Sequence, residues 1–288
     1  MKFSFIETYR CMWFLPVMCR LLGVSKSGYF AWRHGADRPR RSQDRALTAS
    51  IQAIHDQSRQ TYGSPRIHHE LKTQGIGVGK KRVERLMKCA GIAVLPHRQF
   101  VTTTDSNHDQ PIAPDLLKQD FTASAPNQRW VTDITYVRTD EGWLFLASIL
   151  DLYSRKSVGW AMQPNMHRSL VLKALDMAIV ERQPGPGLIH HSDRGSQYAS
   201  EDYRRVLTEH GMIASMSRSG CCYDNAAAES FWHTLKNELV YRCKFQTRAE
   251  ATQAIFEYIE VFYKRTRRHS TIGNISPVDF ELQRITVA

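Results

Sequence analysis

Six cysteines in 288 residues include no C-x-x-C pair: Cys11, Cys19, Cys89, Cys221, Cys222 and Cys243 stand at spacings that fit neither a zinc ribbon nor a redox centre. They read as reduced thiols of a cytosolic protein. No long apolar run opens the chain either. Glu7, Arg10, Pro16 and Arg20 interrupt the apolar patches of the first 22 residues, which argues against a signal-peptide core or a spanning helix. The expectation is a chain that is neither exported nor anchored in a membrane. What the last two thirds lack is net basic charge. Residues 1–100 hold 18 Lys and Arg against 6 Asp and Glu, and the remainder holds 21 against 22, so the formal charge of +11 resides in the N-terminal third. That asymmetry points to a polyanion-binding region joined to a domain whose acidic residues serve another purpose, with nucleic acid as the expected partner and a solubilising surface as the alternative.

Two stretches of that basic third have the grammar of helical hairpins. Residues 17–33, VMCRLLGVSKSGYFAWR, read as an apolar helix, a turn at Gly23, and a short helix carrying Lys26, Tyr29, Trp32 and Arg33. Further on, Ser64 is placed to cap a helix with Pro65 at its first position, through SPRIHHELKTQG. After the turn from Gly75 to Gly79 comes KKRVERLMKCAG. Val83, Leu86 and Met87 there make an apolar stripe, and Lys80, Lys81, Arg82, Arg85 and Lys88 occupy the other faces. Such a helix packs on its neighbour and reaches phosphates with its cations; a solvated basic face is the alternative.

Residues 99–128 are polar and turn-rich, and predict an exposed linker. From Arg129 onwards RWVTDITYV, WLFLASILDL and KSVGWAMQ are three strand-like runs, with Glu141-Gly142 marking the first turn. HRSLVLKALDMAIVER predicts a helix, LIHHSD a strand, SEDYRRVLTEHG a helix, IASMS a strand and NAAAESFWHTLKNELVY a helix. The order predicts a mixed α/β layer and no repeat array. The expected divisions are a helical DNA-binding region over 1–97, a linker over 98–120, a catalytic core over 121–245, and a C-terminal helix with a basic tail over 246–288.

Three carboxylates stand out within the core. Asp133 lies inside the first strand, where a buried sheet would not normally hold a charge. Asp193 follows the fourth strand, and sheet ends of this kind are where α/β proteins place ligands. Glu229, separated from Asp193 by 35 intervening residues, lies on the helix after the last strand, and Lys236 follows two turns later on the same face. Carboxylates grouped in this way suit Mg²⁺ or Mn²⁺, and two such ions roughly 3.5 to 4 Å apart serve phosphodiester displacement.

These residues carry a resemblance. WVTDITY around Asp133, HSDRGSQY around Asp193, YDNAAAESFWHTLKNE around Glu229, the 35-residue spacing and Lys236 resemble the integrase catalytic core of the DDE transposases and retroviral integrases, in particular the OrfB-type transposases of bacterial insertion sequences. Residues 42–92 resemble the helix-turn-helix that precedes that core. The resemblance implies an RNase H-like mixed sheet behind an all-α region. It also implies a site of Asp133, Asp193 and Glu229 that binds Mg²⁺, with Mn²⁺ as substitute, and DNA strand cleavage by water followed by strand transfer from the liberated 3′ end. The implied partners are double-stranded DNA, further copies of the chain, and an upstream OrfA-type protein or frameshift fusion, in the bacterial cytoplasm at the nucleoid. No His-His-Cys-Cys zinc module precedes the core, which separates the chain from retroviral integrases. Cys221, and Lys264 in FYKRTRRHSTIGNISPVDF, depart from the family pattern.

Around the triad, Lys236 is expected to hold a terminal phosphate, and Lys264, Arg265, Arg267 and Arg268 to contact DNA or to form a solvated helix end. Arg194, Ser196 and Gln197 either touch the scissile strand or close their loop. Asp224-Asn225 is expected to cap the catalytic helix. His190 and His191 are left out of the site, since consecutive strand residues face opposite ways. The rival readings are a DNA-binding regulator without activity and an RNase H-like nuclease.

Overall fold

A computed structural model describes residues 1–34, 39–94, 110–219 and 222–285, in two compact units, Met1–Val94 and Leu95–Ala288. Cys221 and residues 98–109 of the expected linker lie outside the described residues.

The first unit is all helix. Helices α1 (Lys2–Tyr9), α2 (Leu15–Leu21) and α3 (Lys26–Arg33) close over Ile6, Met18, Cys19 and Tyr29. Gly23 makes the turn with φ +62°, and Ser25 caps α3 by accepting from the Gly28 amide at 2.9 Å. A second trio is α4 (Pro39–Gln57), α5 (Ser64–Thr73) and α6 (Lys80–Cys89). Its buried positions follow helical spacing: Leu47, Ile51 and Ile54, then Ile67 and Leu71, then Val83, Leu86 and Met87. Gly63, not Ser64, is the N-cap of α5, because its carbonyl already accepts from the Ile67 amide at 3.1 Å.

The second unit is built on a five-stranded sheet. Strands β1 (Arg129–Thr139), β2 (Gly142–Asp151) and β3 (Ser157–Gln163) form an antiparallel meander. Helix α7 (Arg168–Arg182) then leads to β4 (Ile189–Ser192), and α8 (Ser196–Ala199) and α9 (Glu201–Glu209) lead to β5 (Ile213–Met216). Both β4 and β5 are parallel to β1, in the order β3-β2-β1-β4-β5. Trp130, Ile149 and Val158 of the sheet meet Leu170, Ala174 and Ala178 of α7 in the core. Gly159 sets how close α7 comes, since a Cβ there would stand 2.2 Å from the Ala174 carbonyl oxygen.

Helix α10 (Ala226–Glu238) packs on β1, and α11 (Arg248–Glu257) on β1 and β2. Thr247 and Glu250 make a capping box at the start of α11. A π-helical stretch, Tyr258–Tyr263, continues it before α12 (Pro277–Ile285).

Residues 110–128 hold no helix or strand, but the described end of the expected linker is not a free tether. Residues 114–120 form a strap on the sheet edge: Pro114 accepts from the Met216 amide at 3.3 Å, the Leu116 amide donates to Ser215 Oγ at 2.9 Å, and Leu117 is buried. Turn-rich composition reveals a lack of periodicity; it does not reveal where a segment docks.

Candidate active site

The sheet itself brings two of the three carboxylates together. In the parallel pairing Arg129 stands opposite Ile189 and Val131 opposite His191. Continued by two residues, that register sets Asp133 beside Asp193, just where β4 ends and the strands part. Asp193 Oδ1 accepts from the Gly195 amide at 3.0 Å, in a turn so tight that a Cβ on Gly195 would meet the same oxygen at 3.0 Å.

Helix α10 supplies the other wall. Phe231 and Leu235 are buried, which turns Glu229, Trp232 and Lys236, at i, i+3 and i+7, along β1. The Trp232 indole donates to Asp133 Oδ2 at 3.1 Å, and the Ile134 amide donates to Oδ1 at 2.8 Å. Lys236 Nζ lies 5.2 Å from the centre of the Tyr136 ring. Glu229, in the first turn, is exposed.

Burial pushes the Asp133 carboxyl well above the usual range; the neighbouring Asp193 charge adds to this, and Glu229 contributes least. Partial burial of its carboxyl raises Glu229 even at the exposed rim, and burial lowers Lys236, the latter partly offset by Asp133. The arrangement is therefore a close aspartate pair with a glutamate at the rim and a lysine within reach. Among the described residues no three Asp, Glu, His or Cys side chains converge into a closed cage.

Trp232 is the site residue that sequence reasoning missed. Its position on one face with Glu229 and Lys236 was a usable sign. Asn225 is the N-cap of α10 but makes no capping bond with its side chain; its Nδ2 donates to the Thr132 carbonyl at 3.2 Å. Asp224 accepts from Arg218 and Gln119. The expected capping role for this pair is thus replaced by ties to other elements. Arg194 Nε donates to the Ser217 carbonyl at 2.7 Å, while Ser196 is exposed. His190 and His191 are both buried, on Tyr203 and on Ser215 and Ser217 respectively.

Among the expected DNA contacts, Lys80 and Lys81 are exposed on α6. Arg82 and Arg85 are held by Asp44 of α4 at 2.7 and 2.8 Å. Two of the C-terminal cations are corrected. Lys264 is buried on Glu260 at 2.7 Å, with Glu181 at 3.6 Å, and Arg267 is buried in a two-pronged pair with Glu238 at 2.8 Å, so neither reaches a phosphate. Arg268 donates to the Asn274 carbonyl, and Arg265 is exposed.

Comparison with known proteins matches the integrase core domain to residues 123–222 and again to 229–285, and an HTH-like domain to 42–100. An insertion element IS600 uncharacterized 31 kDa protein of Shigella sonnei is 50% identical over 263 residues, covering 91% of this chain and 97% of that one. Transposase InsF for insertion sequence IS3fB of Escherichia coli K12 is 42% identical over 287 residues, covering 99% of this chain and 100% of that one. Among solved structures, the HTLV-2 integrase catalytic core domain in complex with magnesium aligns with a TM-score of 0.43 at 14% identity, covering 55% of this chain and 99% of that one. From the integrase core, the HTH-like region and relatives matched over nearly their whole length, the chain belongs to the OrfB-type insertion-sequence transposases, enzymes with a DDE-class integrase core.

Proposed function

We propose that the chain cuts DNA strands at insertion-sequence ends and joins them to target DNA in a divalent-metal-dependent reaction, with Asp133, Asp193 and Glu229 as its catalytic, metal-holding carboxylates. The observation that carries this reading is the register that sets Asp133, within β1, beside Asp193, where β4 ends and parts from it. Like charges side by side favour a cation between them, and the Asp133 carboxyl, raised first by burial, is raised further by Asp193. The donors are hard oxygens, which suit Mg²⁺, with Mn²⁺ as substitute; because Mg²⁺ commonly completes its shell with water and substrate phosphate, an open carboxylate set fits it. Bound there, such ions would supply activation of the attacking oxygen and neutralisation of the leaving one.

The protein's own groups orient the site. Trp232 and the Ile134 amide each engage one oxygen of Asp133 and so fix its rotation. Lys236 offers a cation to a DNA phosphate, and partial burial strengthens that attraction. The helical unit binds double-stranded DNA, with Lys80 and Lys81 as its leading phosphate contacts on α6 and Arg82 and Arg85 partly occupied by Asp44. Arg265 is the C-terminal cation best placed to join them. The working form is a homo-oligomer on DNA in the bacterial cytoplasm, with an upstream OrfA-type protein or a frameshift fusion as partner. Among the described residues no helix is long and apolar enough to cross a membrane.

The test is strand cleavage and joining on a labelled duplex bearing the element's ends, with Mg²⁺ or with EDTA, for wild type and Glu229→Gln. Joined products that need metal and disappear in the variant are expected. Cleavage by water without any joining would leave a nuclease, and metal-independent activity would overturn the assignment.

A further inference from the structure

Reaction at this site requires that β1 and α10, which carry Asp133 and Glu229, keep a fixed register, and apolar packing alone sets that loosely. The C-terminal end of α10 is fixed by Glu238, which accepts from Arg267 and from the Tyr258 hydroxyl at 2.8 Å. The N-terminal end is fixed differently. Asn225 stands at the N-cap, where an asparagine oxygen ordinarily accepts from an amide of the first turn. Here that bond is forgone, and Nδ2 reaches across to the Thr132 carbonyl, one residue before Asp133. Asn225 is 5% exposed, and its Oδ1 is buried with no hydrogen-bond partner among the described residues. A buried oxygen left unpaired costs stability and offsets what the bond to the Thr132 carbonyl contributes.

Asp224, next to it, is fully buried and accepts from the Arg218 backbone amide, Nε and Nη2 and from Gln119 Nε2, each at 2.9 Å. Gln119 belongs to the strap. Lys118 and Gln119 adopt φ of +48° and +63°, a left-handed pair unusual for side chains of this kind, and this turn carries Gln119 back to Asp224.

We propose that Asn225 and Gln119 are positioning residues for the reaction: Asn225 ties the start of α10 to β1 beside Asp133, and Gln119 ties the same point, through Asp224, to the strap. The inference rests on the proposed metal-dependent reading. It is tested on the full chain with Mn²⁺ alone as the probe, following free Mn²⁺ by electron paramagnetic resonance, with thermal melting and strand cleavage measured in parallel. Asn225→Leu removes both the tie and the unpaired oxygen at similar shape. Because losing the bond to the Thr132 carbonyl and removing the unpaired oxygen offset each other, it is expected to melt close to wild type while Mn²⁺ affinity and cleavage each fall about 10-fold, the lower end of the effect usual for groups that orient metal-holding residues. Gln119→Ala, at an exposed position, should lose several-fold in both, and Gln119→Lys, which keeps a donor, should recover them. Wild-type Mn²⁺ affinity and cleavage in Asn225→Leu, or in Gln119→Ala should Asn225→Leu not fold, overturn the proposal. If wild type binds Mn²⁺ no better than Asp133→Asn, the metal-dependent reading fails and the proposal with it.

Discussion

His190 lies on β4 three residues before Asp193, packed edge-on against Trp130 and Tyr203, with its Nε2 3.1 Å from the Tyr203 hydroxyl. Burial pushes its imidazole down to about 3, with a smaller contribution from His191. The unfolded chain takes up this proton near pH 6.5 and the folded chain does not. Stability from this group is therefore fully present above that pH and is lost as pH falls towards 3, at a rate approaching 1.4 kcal/mol per pH unit. Thermal melting of wild type and His190→Gln between pH 7 and pH 4 checks this: the wild-type curve should fall more steeply, and parallel curves would refute it. The imidazole thus belongs to the support of β4, and its nearness in sequence to Asp193 is no sign of ligation.

Between elements, α7 comes close to β3 at Gly159. Beyond the Ala174 carbonyl, a Cβ would also meet the Ala178 Cβ at 2.7 Å, and both neighbours belong to a packed helix that cannot yield without moving. Gly159→Ala should cost at least about 1–3 kcal/mol by overpacking, read by denaturant titration, whereas Gly185→Ala, with open space around it, should change little. The regular elements were legible because their signals are local. Alternating Val, Ile and aromatic residues mark β1 to β3, and helical spacing marks α5, α6 and α10. The strap was not, because its contacts are made with residues such as Ser215 and Asp224, about a hundred positions away. The same holds for charge. A run such as Lys264 to Arg268 reads as a basic surface until the fold brings Glu238 to Arg267 and Glu181 to Lys264. Asp133, Asp193 and Glu229 stood out through their spacing and flanking motifs, while the bonds of Trp232 to Asp133 and of Asn225 to Thr132 depend on how α10 meets β1.

Over the whole molecule the basic excess sits in the helical unit, so DNA affinity should fall steeply with salt, with a log-log slope of roughly −0.9 per phosphate neutralised. Replacing both Lys80 and Lys81 by Ala should flatten that slope by about 2 and weaken all duplexes alike. Arg82→Ala should flatten it less, because its charge is already partly spent on Asp44. Fluorescence anisotropy over a salt series separates these outcomes, and an unchanged slope in the double variant would remove α6 from the interface. The strap has a further consequence for the molecule. β5 is an edge strand, and an edge with open amides invites pairing with a strand of another chain. With Pro114 accepting from Met216 and Leu116 donating to Ser215, the segment that leads into the core also blunts that edge. A catalytic fragment begun at residue 121 would lose this cover, and its sheets would be open to aggregation through β5.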